Sequence, residues 1–331
     1  MSNAGAYPCD MHCHTIRSDG NDTPLELIEA AAALGMHAVG IADHDIDPPR
    51  TVTTPAGQEH EIVAYAASRG LVLVPGYEFS TDTWVDDVHI CGYGLDWSHP
   101  DLQDEIAAAK ASKANGYREL CERLTAQGMP VDWEADVLQY ADNQGVVCMR
   151  SPDEVQRKHV FEAMAAKGHT PTWSDAKLLV RDSAELNVRR RKIDPLATIA
   201  LIRRCGGIAV LAHPYLIDEE VSPQGLPRMT RRQYIDRLID AGLDGIEARY
   251  TYDKTSYRGT MTPEQVEAEV RAHYAGRVAF FSGGPDYHAD QKKQGAGKIR
   301  RLGERGLTVP EFADAFGGLC NVDNGIRRAS R

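Results

Sequence analysis

The chain has 331 residues, of which 42% are hydrophobic and 26% are charged, a composition typical of globular proteins with a sizeable buried core. No segment approaches the roughly 20 apolar residues that a transmembrane helix needs, so we expect no membrane partner. The formal net charge of −11 argues against binding to duplex DNA, which requires a basic protein surface.

The first hundred residues alternate short apolar segments with helical patterns. Thr23 is expected to cap a helix that has Pro24 in its first turn, runs through Leu34 and stops at Gly35. The predicted strands are Tyr7–Met11, Ala38–Ala42, Leu71–Pro75 and Val88–Tyr93, and a second helix is predicted over Glu59–Arg69. Strands that alternate with helices of this length indicate parallel βα units.

The middle of the chain, from about Asp101 to Asp194, has almost no strand pattern and is predicted to be a helical insertion. Its helices are expected over Asp101–Gln127, Asp153–Lys167 and Trp173–Leu179. The alternation then resumes with strands at Ile208–Ala212, Gly245–Ala248 and Val278–Ser282 and helices at Pro195–Cys205, Arg231–Ala241 and Pro263–Tyr274. We therefore predict an α/β fold, a (β/α) barrel over residues 5–100 and 195–331, with a helical subdomain at 101–194 inserted into it.

The N-terminus lacks a basic start followed by an apolar run, so no signal peptide is predicted and a cytoplasmic location is expected. Seven cysteines lie at positions 9, 13, 91, 121, 148, 205 and 320, without a CxxC pair. Their irregular spacing favours reduced thiols over a disulfide framework.

Ionisable side chains follow nearly every predicted strand, at the end where barrel enzymes carry their chemistry. These residues are His12, His14, Asp19, His44, Glu78, His89, His213, Asp286 and His288. Residues i and i+2 of an extended segment face the same side, so His12 with His14, and Asp286 with His288, can each face one cation. Mixed imidazole and carboxylate ligands suit Mn, Fe and Zn, and a cation would offset the cost of burying these groups.

Six segments resemble, in chain order, the motifs of the PHP (polymerase and histidinol phosphatase) superfamily. They are DMHCHTIRSDG, GIADHD, PGYEF, VHICGY, LAHPY and SGGPDYH, spread over about residues 8–99 and 198–290. The resemblance implies a distorted (β/α)7 TIM-like barrel and two or three divalent metal ions. Pro285 stands where the family usually has a serine, which we expect to alter the loop and not the ligands.

The resemblance also implies which residues hold each cation. His12, His14 and Asp286 would hold the first, and Glu78 would bridge it to a second, also held by His89 and His213. Asp19, His44 and His288 would hold the third. Glu247, in GIEARY, ends another predicted strand and is expected near the pocket, without an assigned role.

The helical insertion is similar to that of a subgroup that acts on nucleoside 3′,5′-bisphosphates or short oligonucleotides. The subgroup carries a segment like RPHxARxL, and QRKHVFEAMAAKG stands in its place here. Arg157 and His159 match its arginine and histidine and would bind a substrate phosphate, while Lys158 replaces the proline. The alternative for both is a solvated helix face.

We therefore expect a metal-dependent phosphoesterase that releases phosphate from small nucleotides, with a water activated between two cations as the nucleophile. Asp45 is a candidate proton donor, or else a residue that orients the His44 ring. The alternatives are a 5′→3′ exonuclease on short oligoribonucleotides, a histidinol-phosphate phosphatase, an amidohydrolase and a non-catalytic metal-binding module. Lys292, Lys293 and Lys298, past the last motif, favour a phosphate over an amide substrate.

Overall fold

A computed structural model describes residues 7–141, 145–293 and 297–320, except the side chain of Cys320. Its main sheet has seven strands: β1 (Cys9–Cys13), β2 (Ala38–Ile41), β3 (Val72–Ser80), β4 (His89–Tyr93), β5 (Ile208–Leu211), β6 (Gly245–Arg249) and β7 (Phe280–Gly283). Neighbouring strands follow one another in chain order from β1 to β7. The predicted α/β fold with a distorted TIM-like barrel is confirmed.

Nine helices occur in the described residues: α1 (Pro24–Ala33), α2 (Ile62–Ser68), α3 (Pro100–Ala126), α4 (Arg157–Ala166), α5 (Trp173–Asp182), α6 (Pro195–Arg204), α7 (Arg231–Asp240), α8 (Pro263–Tyr274) and α9 (Val309–Cys320). Helix α1 begins as predicted, because the Thr23 hydroxyl accepts from the Glu26 amide while the Glu26 carboxylate accepts from the Thr23 amide. No helix in the described residues is long and apolar enough to cross a membrane.

Backbone hydrogen bonds join the segment after β7 to β1. The His14 amide donates to the Tyr287 carbonyl at 2.8 Å, and the Tyr287 amide donates to the His12 carbonyl at 2.9 Å. Tyr287 lies between Asp286 and His288, so the same three residues carry this link and two of the candidate ligands. The sheet therefore comes close to a closed ring at its most polar point.

Strand β4 departs from the expected parallel arrangement, since it runs antiparallel to both β3 and β5. Strand β3 extends to Ser80, five residues beyond the predicted end, so only Thr81–Val88 connects the two strands. A parallel crossover needs about a dozen residues or more, and so short a connection forms a hairpin instead. As a result, His89 begins its strand at the edge where the other strands end.

Other predicted boundaries also need correction. Residues Glu59–Glu61 belong to a two-stranded hairpin with Thr51–Thr53, and α2 begins only at Ile62. Helix α9 was not predicted. The six described cysteine side chains are free, and that of Cys320 lies outside the described residues.

The chain divides into two compact units, residues 1–103 with 193–331 and residues 104–192. The first contains the seven-stranded sheet, whose core includes Met11, Val74, Tyr93, Val210 and Phe316. The second has a core of its own that includes Leu124, Val137, Val160, Met164 and Val180. It is mainly helical, as expected, but it also contains a hairpin of Gln139–Ala141 with Val147–Met149.

Candidate metal centre

The nine histidines and carboxylates that the sequence singled out come together at one edge of the seven-stranded sheet. His12 lies in β1 and Glu78 in β3, while His89 begins β4. The other six lie in the segments that follow β1, β2, β5 and β7: His14, Asp19, His44, His213, Asp286 and His288. Their role as metal ligands stays a prediction, but their convergence is a feature of the fold.

Glu78 lies at the middle of this group and is fully buried. Its Oε2 atom lies 3.2 Å from Nε2 of His12, 3.2 Å from Nε2 of His14 and 3.0 Å from Nδ1 of His44. Its Oε1 atom lies 3.0 Å from Nδ1 of His89 and 3.1 Å from Nε2 of His213. One carboxylate therefore contacts five imidazoles, with each oxygen facing a different subset.

Two further sets of ligand atoms flank Glu78. In the first, Oδ1 of Asp286 lies 3.0 Å from Nε2 of His14 and 3.6 Å from Nε2 of His12. In the second, Nε2 of His288 lies 2.9 Å from Oδ1 of Asp19, which is 3.8 Å from Nδ1 of His14. The potential ligand atoms form four groups, and within each group all the atoms lie within 4.8 Å of one another. The groups are His14–Asp19–His44–His288, His12–His14–Asp286, His44–Glu78–His89 and His12–Glu78–Cys91.

Several of these buried atoms have no hydrogen-bond partner among the described residues. They include Oε2 of Glu78, Oδ1 of Asp286 and Nδ1 of His44. Ring nitrogens also face one another, with Nε2 of His12 and His14 only 3.0 Å apart. A divalent cation binds donor atoms that converge on a common point, so this donor set fits the metals that the sequence predicts.

The electrostatics agree with that fit. Burial alone would raise the pKa of Glu78, but the imidazoles of His44, His12 and His89 hold it well below its usual value. Asp286 and Asp19 likewise have lowered pKa values, chiefly because of His288. Burial lowers the pKa of His44 to about 4. The carboxylates are therefore ionised at neutral pH. Burial lowers the pKa values of His12 and His14, but these carboxylates raise both, that of His14 to about 10, so the cluster favours positive charge.

The backbone around the site is closely packed. A Cβ atom on Gly20 would lie 2.4 Å from the His14 carbonyl oxygen, and one on Gly284 would lie 2.6 Å from Cβ of His12. His213 and Asp286 have φ values of +30° and +57°, a left-handed region that costs non-glycine residues strain. Strain of this kind persists only where the surroundings hold it in place.

The buried Tyr250 and the partly buried Arg300 both bind the carboxylate of Asp286. The Tyr250 hydroxyl and Nη1 of Arg300 each donate to Oδ2 of Asp286 at 2.9 Å, which leaves Oδ1 facing the histidines. Arg300 also binds both oxygens of Asp290. Neither Tyr250 nor Arg300 was predicted, since Tyr250 ends the segment GIEARY without a further signal and Arg300 lies outside every quoted segment.

Glu247 and Cys91 also lie against the cluster. Glu247 is buried in β6, with Oε1 2.8 Å from Nδ1 of His12. Cys91 is the cross-strand neighbour of Glu78 in the β3–β4 pair. Burial raises the pKa of the Cys91 thiol well above its usual value, so it is a protonated core residue in this structure. The position of Glu247 at a strand end was the one sequence signal for it.

Asp45 ties two strand ends together. Its Oδ1 accepts from the Ser80 amide at 2.9 Å, and its own amide donates to the Glu78 carbonyl at 3.1 Å. The neighbouring Asp43 accepts from the Thr15 amide, the Thr15 hydroxyl and the Ser18 hydroxyl at 2.6–2.7 Å. Both aspartates thus fix the loops that carry the candidate ligands.

The lysines past the last motif have protein partners. The Lys292 ammonium lies 2.8 Å from Asp22 and 2.9 Å from Glu26, and Lys293 lies 3.2 Å from Asp290. Lys298 donates to the Asp253 carbonyl at 2.6 Å. These lysines therefore no longer argue for a phosphate over an amide substrate.

Arg157 and His159 lie in the helical unit, in the first turn of α4. Nδ1 of His159 accepts from the Gln156 amide at 3.0 Å, so its Nε2 carries the proton when the ring is neutral. Burial lowers the pKa of His159 to about 3, and the charges of Arg150, Lys158 and Lys113 add to this. A buried imidazole among cations is a favourable environment for an anion.

Known proteins are similar to this chain in sequence and fold. The chain matches the PHP domain family over residues 10–186. It is 30% identical over 207 residues to the 5′-3′ exoribonuclease Rnm of Salmonella typhimurium. This match covers 62% of this chain and 64% of the length of that protein. It is 27% identical over 288 residues to the 3′,5′-nucleoside bisphosphate phosphatase of Chromobacterium violaceum, covering 85% and 87%.

Among solved structures, a protein from Bifidobacterium adolescentis assigned as a metal-dependent phosphoesterase superposes with a TM-score of 0.66. It is 29% identical and the match covers 93% of this chain and 95% of that one. The family match spans more than half of the 331 residues and includes four of the six quoted motifs. The chain therefore belongs to the PHP domain family.

Proposed function

We propose that this protein is a metal-dependent hydrolase that releases phosphate from small nucleotides such as nucleoside 3′,5′-bisphosphates. The observation that carries the proposal is the overlap of the ligand groups, which share His12, His14, His44 and Glu78. Overlapping groups suit cations that lie side by side, as in two-metal phosphatases. Bound there, Mn, Fe or Zn ions would lower the pKa of a water and neutralise charge on the phosphoryl oxygens.

The proposed division of ligands is the one that the resemblance to the PHP superfamily implies. His12, His14 and Asp286 would hold one ion, and Asp19, His44 and His288 would hold another. Glu78 would bridge the first ion to one that is also held by His89 and His213, and its two oxygens face different rings. The proposed number is therefore two or three ions, and His14 lies where two of the ligand groups meet.

The substrate class rests on two different observations. Both curated relatives described above carry names that refer to nucleotides or RNA, and the helical unit contains a cation-rich surrounding for His159. We assign Arg157 and His159 to the binding of a substrate phosphate, with the guanidinium and Nε2 as donors. Asp45 is proposed to position His44, because its hydrogen bonds tie the His44 segment to β3.

The test compares three substrates with protein loaded with Mn²⁺: adenosine 3′,5′-bisphosphate, histidinol phosphate and a 5′-phosphorylated trinucleotide RNA. We expect rapid phosphate release from the bisphosphate, its loss in His12→Ala and its retention in His60→Ala, which alters a hairpin residue away from the cluster. Turnover of histidinol phosphate alone would reject the nucleotide substrate. No turnover of any of the three would reject the phosphatase.

A second candidate function is 5′→3′ cleavage of short oligoribonucleotides, favoured by the 30% identity to the Salmonella exoribonuclease. The two functions differ in how much of the polymer the protein binds. A series of 5′-phosphorylated oligomers of two to eight nucleotides distinguishes them. An exoribonuclease gains kcat/KM with length and releases mononucleotides, whereas a bisphosphatase acts best on the shortest substrate.

A further inference from the structure

Glu247 is a buried carboxylate that the proposed chemistry does not use. It lies in β6 and is 1% exposed. An ionised group in such a position is costly unless hydrogen bonds compensate for the lost solvation. Its partners therefore indicate why a glutamate occupies this position.

The two oxygens of Glu247 face two different candidate ligands. Oε1 lies 2.8 Å from Nδ1 of His12. Oε2 accepts from the backbone amide of His213, also at 2.8 Å. The carboxylate thus joins the first strand of the ring to the segment that follows β5.

The contact with His12 determines which ring nitrogen faces the cluster. A hydrogen bond from Nδ1–H to Glu247 leaves the Nε2 lone pair directed away from β6. That Nε2 lies 3.2 Å from Oε2 of Glu78 and 3.0 Å from Nε2 of His14. The ring is therefore fixed from one side while its other nitrogen meets the remaining ligand atoms.

The contact with His213 acts on the backbone. The φ value of +30° places His213 in a sparsely populated region, and the carboxylate binds the amide at that point. A charge-assisted hydrogen bond there holds the turn that directs the His213 ring towards Glu78, 3.1 Å away.

We propose that Glu247 is a positioning residue that sets His12 through its ring and His213 through its backbone, so that both present Nε2 to the cations. The proposal rests on the proposed function, since it takes His12 and His213 as metal ligands. Outer partners of this kind typically contribute 10- to 100-fold to metal affinity, so about that loss is expected in Glu247→Gln.

The test measures Mn²⁺ binding and stability separately. Metal-free wild-type protein, Glu247→Gln and the control Asp82→Asn are titrated with Mn²⁺ by calorimetry, and each is melted with and without the ion. Asp82 is also buried and binds the amides of Trp84 and Val85, so its change to asparagine is a matched loss of a structural carboxylate.

A positioning role predicts that Glu247→Gln binds Mn²⁺ about 10- to 100-fold more weakly than the wild type and that Mn²⁺ raises its melting temperature by less. Asp82→Asn is expected to bind Mn²⁺ as the wild type does. Wild-type affinity in Glu247→Gln would overturn the inference. So would a lower melting temperature of the metal-free variant with an unchanged gain on adding Mn²⁺, because that is a structural role. Failure of the wild-type protein to bind Mn²⁺ would instead reject the proposed function.

A measurement on the wild-type protein does not depend on how the variant folds. In metal-free protein labelled with ¹⁵N-histidine, the proposal predicts a slowly exchanging Nδ1–H signal that disappears in His12→Gln. Glu247→Asp, which keeps the charge but is too short to reach both partners, should lose this signal or weaken Mn²⁺ binding. Absence of an Nδ1–H signal from His12 would contradict the proposal.

Discussion

Glu78→Gln is the substitution for which the structure gives the clearest expectation. Glutamine has nearly the same shape as glutamate but carries no charge and places an NH2 group among five imidazoles. Five ring nitrogens lie 3.0–3.2 Å from the two carboxylate oxygens, among the atoms proposed to hold the cations. The substitution therefore removes the charge that the ligand groups share.

The magnitude follows from Coulomb's law. Two unit charges 4 Å apart attract by about 4 kcal/mol at the effective dielectric constant of roughly 20 that suits protein sites. A loss of about 4 kcal/mol corresponds to a factor of about 1,000 in affinity. Because the cations are divalent, this value is a lower bound for the ion nearest Glu78.

The assay is calorimetric titration of metal-free protein with Mn²⁺, together with the metal content of protein purified from Mn²⁺-supplemented culture. Glu29→Gln is the control, since Glu29 lies on the surface and binds Arg69 and Tyr65. We expect Glu78→Gln to lose at least one tightly bound equivalent. Mn²⁺ binding within threefold of the wild-type value, at the same stoichiometry, would refute the central role of Glu78.

Three further changes test other parts of the structure. Gly284→Ala should abolish metal binding and lower the melting temperature, because the new Cβ would lie 2.6 Å from Cβ of His12 and 2.8 Å from its backbone nitrogen; a variant with unchanged metal content would contradict this. Removal of metal by a chelator should lower the free energy of unfolding measured in urea titrations, and Mn²⁺ added back at 100 times its Kd should restore about 2.7 kcal/mol of it. No change on chelation would argue against a metal site in the folded protein. Burial would raise the pKa of Glu311, but its hydrogen bonds from Arg249 lower it from 4.5 to about 2. The folded pKa lies below the unfolded one, so this stabilisation is complete above about pH 4.5 and lost as the pH falls towards 2. Glu311→Gln should therefore flatten that part of the pH profile of the unfolding free energy, and an unchanged slope would contradict the assignment.

The helices that the sequence predicted best are those with strong local signals. Thr262 caps α8 in the same reciprocal way as Thr23 caps α1, and the helix bounds agree with the prediction at Pro263 and Tyr274. Helix α2 was predicted too long because Glu59–Glu61 contains no proline or glycine to separate the hairpin strand from the helix. Pairing with Thr51–Thr53 is a non-local contact that periodicity does not reveal.

The candidate ligands could be predicted because they lie at or after the ends of apolar strands, which is a local pattern. The residues that bind these ligands from outside the cluster could not be predicted. Arg300 follows β7 by 17 positions, and no local pattern pairs it with Asp286. The direction of β4 was also hidden, since it depends on β3 continuing to Ser80. His89 was nevertheless placed correctly with the others, because an antiparallel strand brings its first residue to the edge where parallel strands end.

The link between Tyr287 and β1 has a consequence for how the protein would take up its ions. Tyr287, which lies between Asp286 and His288, makes the backbone hydrogen bonds that join the two ends of the sheet. Opening the ring would therefore remove two of the proposed ligands at once. Cation uptake and ring closure would then be a single thermodynamic event. Ion concentration would set the fraction of molecules with the ring joined, and a nascent chain would gain its full affinity only after the last strand is made.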